Sequence, residues 1–230
     1  REECPICMLP PPLYDNHTGM TFHTCCGKRI CDGCMHTMEE SGAKDLCAYC
    51  RTPPENSDEE IIKRVEKLME RGNPNAFNHF AGYYEDGTMG LPQDRAKANE
   101  LYLKAGELGH AEAYYNLGCS YRTGDGVEID TKKAKYYDEL AAMNGSVQAK
   151  HNLGMMEGEA GNHQRAMKHF IIPAKAGDDD SLDMVKYGYT EGHVTKEEYA
   201  NTLRAYQKIQ DETKSEEREY AEPFARMLDI

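Results

Sequence analysis

The chain contains no tryptophan, has no long apolar run and is poor in basic residues. Its mean hydropathy is −0.79. No apolar segment approaches the roughly 18 residues of a membrane-spanning helix, so no membrane partner is expected. Only 27 Lys and Arg stand against 40 Asp and Glu, which gives a formal net charge of −13. Nucleic-acid binding needs clustered Lys and Arg, so this charge balance argues against nucleic acid as the main partner.

The nine cysteines are distributed unevenly, because all except Cys119 lie within the first fifty residues. They form close pairs, three of them with the spacing Cys-x-x-Cys. In chain order the pairs are Cys4 with Cys7, Cys25 with Cys26, Cys31 with Cys34, and Cys47 with Cys50. Such a loop can place two sulfurs about 2.3 Å from one zinc ion, and four sulfurs complete a tetrahedron. The sequence therefore predicts two Zn²⁺ in closed sites, which stabilise a fold and leave no position open for catalysis.

Disulfide bonds are the competing use of these cysteines. They suit small secreted domains, whereas this cysteine-rich segment continues into a long region that contains only Cys119. The pattern favours a zinc protein with reduced thiols, and hence an intracellular location that is cytoplasmic or nuclear. We expect Cys119 to be a small buried residue rather than a nucleophile, and we assign no catalytic residue.

The order and spacing of the cysteine pairs over residues 1–55 resemble a RING finger in its all-cysteine variant. In that family the first and third pairs share one zinc ion, and the second and fourth share the other, in a cross-brace. The resemblance implies one site formed by Cys4, Cys7, Cys31 and Cys34, and a second formed by Cys25, Cys26, Cys47 and Cys50. Adjacent ligands depart from the family pattern, so His23 is an alternative to Cys25; we favour Cys25.

RING fingers chiefly recruit ubiquitin-conjugating enzymes, and three positions match those that the family uses for this contact. Ile6 lies between the first two cysteines, Met38 lies four residues after the sixth, and Arg51 follows the last. Ala48, where the family often has proline, and the lack of tryptophan are departures that weaken the surface. The resemblance implies a ubiquitin ligase or ligase adaptor that recruits the conjugating enzyme. The alternative is a non-catalytic, zinc-stabilised interaction scaffold.

A helix is predicted directly after the finger. The capping box Ser57-x-x-Glu60 is typical of a helix start, and the apolar stripe that follows closes near Gly72. The finger alone is not expected to bury this stripe. We therefore expect the helix to pack on the region that follows it.

That region repeats with a period near 36 residues. The pattern Ala-x-x-x-Leu-Gly-x-x-Tyr at 113–121 has a counterpart 37 residues earlier, and a third copy begins at Ala149 with Glu157 in place of the tyrosine. Two amphipathic helices per copy predict an α-solenoid. The motif resembles the Sel-1-like repeat, a relative of the tetratricopeptide repeat. Small residues such as Gly118 and Gly154 are expected where two helices approach closely.

The predicted fold is therefore mainly α, with a small two-zinc RING-type finger at 1–55 and helical repeats over 56–230. Repeats are expected near 74–110, 111–146 and 147–178, with a degenerate C-terminal cap over 179–230. In that cap Thr195 is expected to start a helix with Leu203 on its buried side, and Pro223 to end or break it. The repeats are expected to bind a protein or peptide partner that the sequence does not identify.

Overall fold

The structure is a computed structural model that describes residues 3–10, 19–42 and 46–214. These residues form two short strands and ten helices joined by short loops. In chain order they are β1 Met20–His23, β2 Lys28–Cys31, α1 Asp32–Glu40, α2 Asp58–Glu70, α3 Pro74–Asp86, α4 Arg95–Glu107, α5 Ala111–Thr123, α6 Thr131–Met143, α7 Val147–Glu159, α8 His163–Lys175, α9 Asp179–Thr190 and α10 Lys196–Thr213. The fold is mainly helical, as predicted. None of these helices combines the length and the apolar character needed to cross a membrane.

The cysteine-rich segment contains the two strands and α1. Strand β1 pairs antiparallel with β2, with Met20 opposite Cys31 and His23 opposite Lys28. Its small core consists of buried Cys4, Ile30 and Cys31, and half-buried Met20 and Met35 pack against them. A core of this size is too small to hold the segment together by apolar burial alone, which agrees with the need for cross-links between its cysteines.

Helix α2 begins and ends where the sequence predicts. Ser57 is its N-cap, and the Ser57 side chain accepts a hydrogen bond from the Glu60 N–H at 3.3 Å. The Glu60 carboxylate accepts from the N–H of Asn56 at 3.2 Å, one residue before the position that a capping box uses. The helix ends before Gly72, whose φ of 73° is in the left-handed region that favours glycine.

Helices α3 to α8 form antiparallel hairpins. Helices α3 and α4, α5 and α6, and α7 and α8 make three pairs, which coincide with the three predicted repeats. Two glycines lie where helices approach closely. A Cβ on Gly118 would be 2.7 Å from Asp138 Oδ1, and a Cβ on Gly154 would be 2.7 Å from Phe170 Cε1. Both positions therefore require the absence of a side chain, as expected.

The chain divides into two compact units, one formed mainly by the residues up to Leu108 and the other by Gly109–Glu212. The first contains the finger and α2 to α4, and its helical core is formed by Val65, Leu68, Ala76 and Phe80. The second contains α5 to α9 and nearly all of α10. Its core is formed by Ala166, Met167, Phe170, Ala174, Val185 and Val194.

Helix α10 confirms one prediction and corrects another. Thr195 and Glu198 form a reciprocal capping box, with the Thr195 N–H and hydroxyl donating to the Glu198 carboxylate at 2.9 and 2.7 Å. The prediction for Leu203 was wrong, because Leu203 is exposed and its neighbour Thr202 is fully buried. The Thr202 hydroxyl donates to the carbonyl of Glu198 at 2.8 Å, so it enters the core with its polar group satisfied. The predicted break at Pro223 lies outside the described residues.

Candidate metal centres

The first candidate metal centre combines two loops that are distant in sequence. Cys4 and Cys7 lie in a tight N-terminal turn, in which the N–H of Met8 donates to the Cys4 carbonyl at 2.9 Å. Cys31 ends β2 and Cys34 lies in the first turn of α1. The four sulfur atoms all lie within 4.8 Å of one another. The turn, the strand end and the helix start therefore converge on one point.

The second candidate centre is built in the same way. Cys25 and Cys26 lie in the β1–β2 turn, where Gly27 has φ 69° and donates its N–H to the His23 carbonyl at 2.8 Å. Cys47 and Cys50 lie in a turn closed by the Arg51 N–H, which donates to the Cys47 carbonyl at 2.9 Å. These four sulfurs also lie within 4.8 Å of one another. The positive φ of Gly27 supplies the sharp turn that adjacent ligands require.

Sulfur–sulfur distances test whether a zinc ion fits these clusters. A tetrahedron with zinc–sulfur bonds of about 2.3 Å has edges of about 3.8 Å. In the first cluster Cys4 and Cys34 are 3.8 Å apart and Cys7 and Cys31 are 3.7 Å apart. In the second, the Cys26–Cys47 distance is 3.9 Å and the Cys25–Cys50 distance is 3.4 Å. All eight cysteines are free thiols in the structure, and the spacing fits one tetrahedral ion per cluster.

The electrostatics of each cluster also suit a cation. Burial raises the pKa of Cys4, but three backbone N–H hydrogen bonds outweigh it and bring the pKa to about 7. In the second cluster burial likewise raises the pKa of Cys50, but hydrogen bonds from Thr52 dominate and lower it to about 6. Burial, with the neighbouring thiols, raises the pKa of Cys25 and of Cys34. Each cluster thus pairs a readily ionised thiol with one that needs a nearby cation to ionise.

The structure places Cys25 rather than His23 in the second cluster. The His23 Nε2 atom lies 3.2 Å from the Met35 sulfur, and burial lowers the pKa of His23. The structure thus brings the eight cysteines together in the two groups that the resemblance implies. Occupancy by zinc stays a prediction. Cys119 lies apart on α5, and burial raises its pKa, which does not favour a nucleophilic thiolate.

The three positions expected to contact a conjugating enzyme are accessible to different degrees. Ile6 is 41% exposed at the tip of the first cysteine turn. Arg51 is exposed and has no side-chain hydrogen bond or ion pair among the described residues. Met38 is half-buried on α1. The finger therefore presents an apolar side chain and an unpaired guanidinium to solvent.

The finger is joined to the first helices by an aromatic contact that the sequence analysis did not identify. Phe22 of β1 stacks on His79 of α3 with ring centroids 4.2 Å apart and planes at 14°. Burial, aided by the charge of Arg29, lowers the pKa of His79 to about 4, so its imidazole is neutral at physiological pH. Phe22 also packs against the core cluster that contains Leu68 of α2. The stripe of α2 is therefore buried partly by the finger, and not only by the region that follows.

Polar contacts join the same elements. Asn73, the N-cap of α3, donates its side-chain amide to the carbonyl of Gly27 at 3.4 Å. A Cβ on Gly27 would be 2.4 Å from that amide nitrogen, so the contact requires glycine. The Thr24 hydroxyl donates to the carboxylate of Glu55, which also pairs with Arg64 of α2 at 3.2 Å. Glu55, in the segment between the finger and α2, is therefore held from both of these elements.

The first two helical hairpins carry a polar pair at two equivalent positions. In the first, the Tyr102 hydroxyl donates to Glu85 at 2.5 Å. In the second, Arg122 donates to the fully buried Asp138 at 2.5 Å. In the third, the equivalent positions are Gly158 and Phe170. The residue types of the polar pair thus differ between the first and second copies, and the third copy lacks the pair.

The matching family model confirms the repeats. A model described as the Sel1 repeat matches residues 78–110, 111–146 and 147–178. These segments are Sel1 repeats. The second and third have the predicted boundaries, and the first starts four residues later than the predicted one. No RING or other zinc-finger family model matches the chain, so the family of the finger is not established.

Curated relatives are similar to parts of the chain at modest identity. An uncharacterized protein of Neisseria meningitidis is 33% identical over 91 residues, 40% of this chain and 19% of that protein. Chitin synthase regulatory factor 4 of Schizosaccharomyces pombe is 25% identical over 151 residues, 65% of this chain and 24% of that protein. The ERAD-associated E3 ubiquitin-protein ligase component HRD3A of Arabidopsis thaliana is 32% identical over 111 residues, which are 44% of this chain and 15% of that protein. The chain spans less than a quarter of each relative's length.

Solved structures support the Sel1-repeat fold. A Sel1 repeat protein from Oxalobacter formigenes superposes with a TM-score of 0.55 at 24% identity, covering 78% of this chain and 68% of that one. The protective antigen c5321 of uropathogenic Escherichia coli, which has an SLR fold, gives a TM-score of 0.58 at 21% identity. The match covers 77% of this chain and 40% of that one. At these identities the likeness extends to the fold alone.

Proposed function

We propose that the chain is a RING-type ubiquitin ligase or ligase adaptor. Its finger holds two zinc ions and recruits a ubiquitin-conjugating enzyme, while its Sel1 repeats hold a protein partner. The observation that carries the proposal is the alternation of the cysteine pairs, in which the first and third form one cluster and the second and fourth form the other. A single-zinc ribbon would instead join the first two pairs. The proposal assigns the protein to the cytoplasm or nucleus, because zinc-binding thiols persist in compartments that keep cysteines reduced.

The eight cysteines would hold the ions, and bound zinc would supply structural cross-links without an open coordination position. The finger itself is too small for a stable apolar core, so the cross-links position the surface around Ile6 and Arg51. Ile6 offers an apolar contact to the conjugating enzyme, and Met38 of α1 is the second apolar residue of the proposed surface. The guanidinium of Arg51, which has no partner among the described residues, is available to donate hydrogen bonds to carbonyl or carboxylate groups of the enzyme and of ubiquitin. No side chain of the finger acts as a nucleophile.

Catalysis in this proposal is a matter of positioning. A conjugating enzyme carries ubiquitin as a thioester, and the finger holds the two in a restricted, attack-ready arrangement. Restricting the reacting groups in this way lowers the entropic cost of reaching the transition state. HRD3A, one of the relatives, is a component of a ubiquitin ligase, which supports an adaptor role for this chain.

The second candidate function is a non-catalytic interaction scaffold. The family match is confined to the Sel1 repeats, and the chain lacks tryptophan at the proposed contact surface. Ala48, in the position where the family often has proline, packs against the core of the finger. In this alternative the zinc ions stabilise the N-terminal segment, and only the repeats bind partners.

Ubiquitin discharge separates the two candidates. The chain is incubated with activating enzyme, ATP, ubiquitin and a panel of conjugating enzymes, and release of ubiquitin from the thioester is followed. We expect Ile6→Ala and Arg51→Ala to abolish most of the stimulation. Exposed Ile172 of α8 and Arg95 at the start of α4 provide matched Ala controls, which should retain it. Two equivalents of zinc in every variant would exclude misfolding as the cause. Absence of stimulation across the panel would refute the ligase proposal and leave the scaffold.

A further inference from the structure

The second unit contains an apolar groove with a volume of about 320 Å³, between α7, α8 and α9. Its floor is formed by the buried side chains of Phe170 and Met167. Its open side carries Met155 of α7 and Tyr187 of α9, and Tyr187 is 59% exposed. The stacked imidazoles of His163 and His193, with centroids 4.9 Å apart, form one end.

The groove exists because the third Sel1 repeat lacks the inter-helix pair of the first two. In the first repeat this space is filled by Glu85 with its tyrosine partner, and in the second by Arg122 with Asp138. The equivalent residue of the third is Gly158, and a Cβ there would have only the Ala166 Cβ nearby, at 3.9 Å. The side chain of Phe170 is buried, with His151 of α7 against its ring, and the space beside Gly158 is left unfilled on the groove side.

The composition of the walls suits a protein partner with adaptable apolar contacts. Three methionines, Met155, Met167 and Met184, line the groove. Methionine is flexible and polarisable, and surfaces that accept varied apolar side chains use it often. Exposed tyrosine beside such a surface is typical of interface anchors, since it offers large contact area at low entropic cost.

The rim of the groove is acidic. Glu159 at the end of α7 and Glu191 at the end of α9 line it, and both are exposed. Neither carboxylate has an ion pair or side-chain hydrogen bond among the described residues. The nearby cations Lys135 and Arg165 are instead paired with the buried Glu157, at 3.1 and 3.4 Å. The C-terminal ends of α7 and α9 add partial negative charge at the same rim.

We propose that this groove is the docking site for a partner peptide that presents a methionine- or leucine-sized side chain next to a Lys or Arg. The apolar side chain enters over Phe170, and the basic residue pairs with Glu159 and Glu191. The proposal deepens the proposed function, because it names the class of partner that the Sel1 repeats hold. It rests on the partner-binding role of the repeats and is independent of the finger.

Selection from a random peptide library on the full chain tests the site. We expect the wild type to enrich peptides with an apolar residue beside Lys or Arg, and the Tyr187→Ala and Glu159→Lys/Glu191→Lys variants to lose them. The best peptide, labelled with fluorescein, should bind at least about tenfold more weakly to the charge-reversed variant by anisotropy. A version of this peptide with its Lys or Arg replaced by Glu should regain binding to the charge-reversed variant. Glu139→Lys, an exposed reversal on α6 outside the groove, is the matched control and should bind normally.

Several results would overturn the proposal. These are enrichment that does not depend on the groove residues, enrichment of uncharged or acidic peptides, and no groove-dependent enrichment at all. Self-association of the chain that is lost in Tyr187→Ala would assign the groove to a second copy instead. Arg51→Ala separates this test from the ligase assay. That substitution should leave peptide binding unchanged, and Tyr187→Ala should leave substrate-free ubiquitin discharge unchanged.

Discussion

Asp138 gives the sharpest test of the packing in the second unit. Its side chain is fully buried on α6, with one carboxylate oxygen paired to Arg122 at 2.5 Å. The other oxygen, Oδ1, makes no hydrogen bond of normal geometry among the described residues. Burial raises the pKa of Asp138 to about 6, and the attraction of Arg122 and the neighbouring Asn152 side chain, which lower it, only partly oppose this. The substitution Asp138→Asn keeps the shape of the side chain and removes the ionisation.

The size and sign of the effect follow from proton linkage. The folded pKa of about 6 lies above the ordinary value of 3.8. The folded chain therefore binds the proton more tightly, and its stability falls as pH rises through this interval. Each pKa unit corresponds to about 1.4 kcal/mol, so the full effect is about 3 kcal/mol. About half of it, ~1.4 kcal/mol, lies between about pH 5 and about pH 8.

Urea unfolding of the wild type and of Asp138→Asn across this pH interval measures the effect. The stability of the variant relative to the wild type should increase by about 1.4 kcal/mol from the acidic to the alkaline end. Contributions from other titrating groups, the cysteines included, are shared by both proteins and cancel in the difference. The reasoning would be refuted if the difference in unfolding free energy between the variant and the wild type did not change with pH, or if it changed in favour of the wild type as pH rises. It would mean that the Arg122 pair outweighs the cost of burying the carboxylate.

Three further predictions concern the metal centres and the repeats. Exhaustive chelation should lower the melting temperature and increase hydrogen exchange in β1, β2 and α2 together; unchanged exchange in α2 would contradict the coupling. Elemental analysis of Cys25→Ser should find one zinc equivalent instead of two, whereas His23→Ala should keep both; the reverse result would make the histidine the ligand. Gly154→Ala should destabilise the chain by about 1–3 kcal/mol in urea unfolding, because it overpacks against a buried ring. Gly158→Ala, which has open space, should be neutral or stabilising by up to about 1 kcal/mol, and equal losses at both sites would contradict this.

The repeats and helix boundaries could be predicted because they depend on local rules. Caps such as Ser57 and Thr195 act on residues three positions away, and Gly72 ends a helix by its own backbone freedom. The close helix contacts at Gly118 and Gly154 were also predictable, since the repeat places them at equivalent positions. Periodicity therefore carries information about packing inside each hairpin.

Contacts between elements of different type could not be predicted in this way. The grouping of the cysteines came from the resemblance to a family and not from their spacing alone. The stack of Phe22 on His79 joins a strand to a helix more than fifty residues away, and no periodic pattern relates the two. The exposure of Leu203 and the burial of Thr202 reverse a simple apolar pattern, because a hydroxyl satisfied within its own helix can enter a core. The groove in the third repeat arises from a missing side chain, which a search for functional residue types overlooks.

The attachment of the finger to α2 and α3 has a consequence for geometry. Phe22 stacks on His79, Asn73 donates to the Gly27 carbonyl, and Glu55 pairs with Arg64, so three separate contacts orient the finger against α2 and α3. In the proposed function, an enzyme bound to the finger would be oriented relative to α2 and α3. The distance over which such an enzyme could act on a neighbouring target would then depend on the rigidity of these contacts.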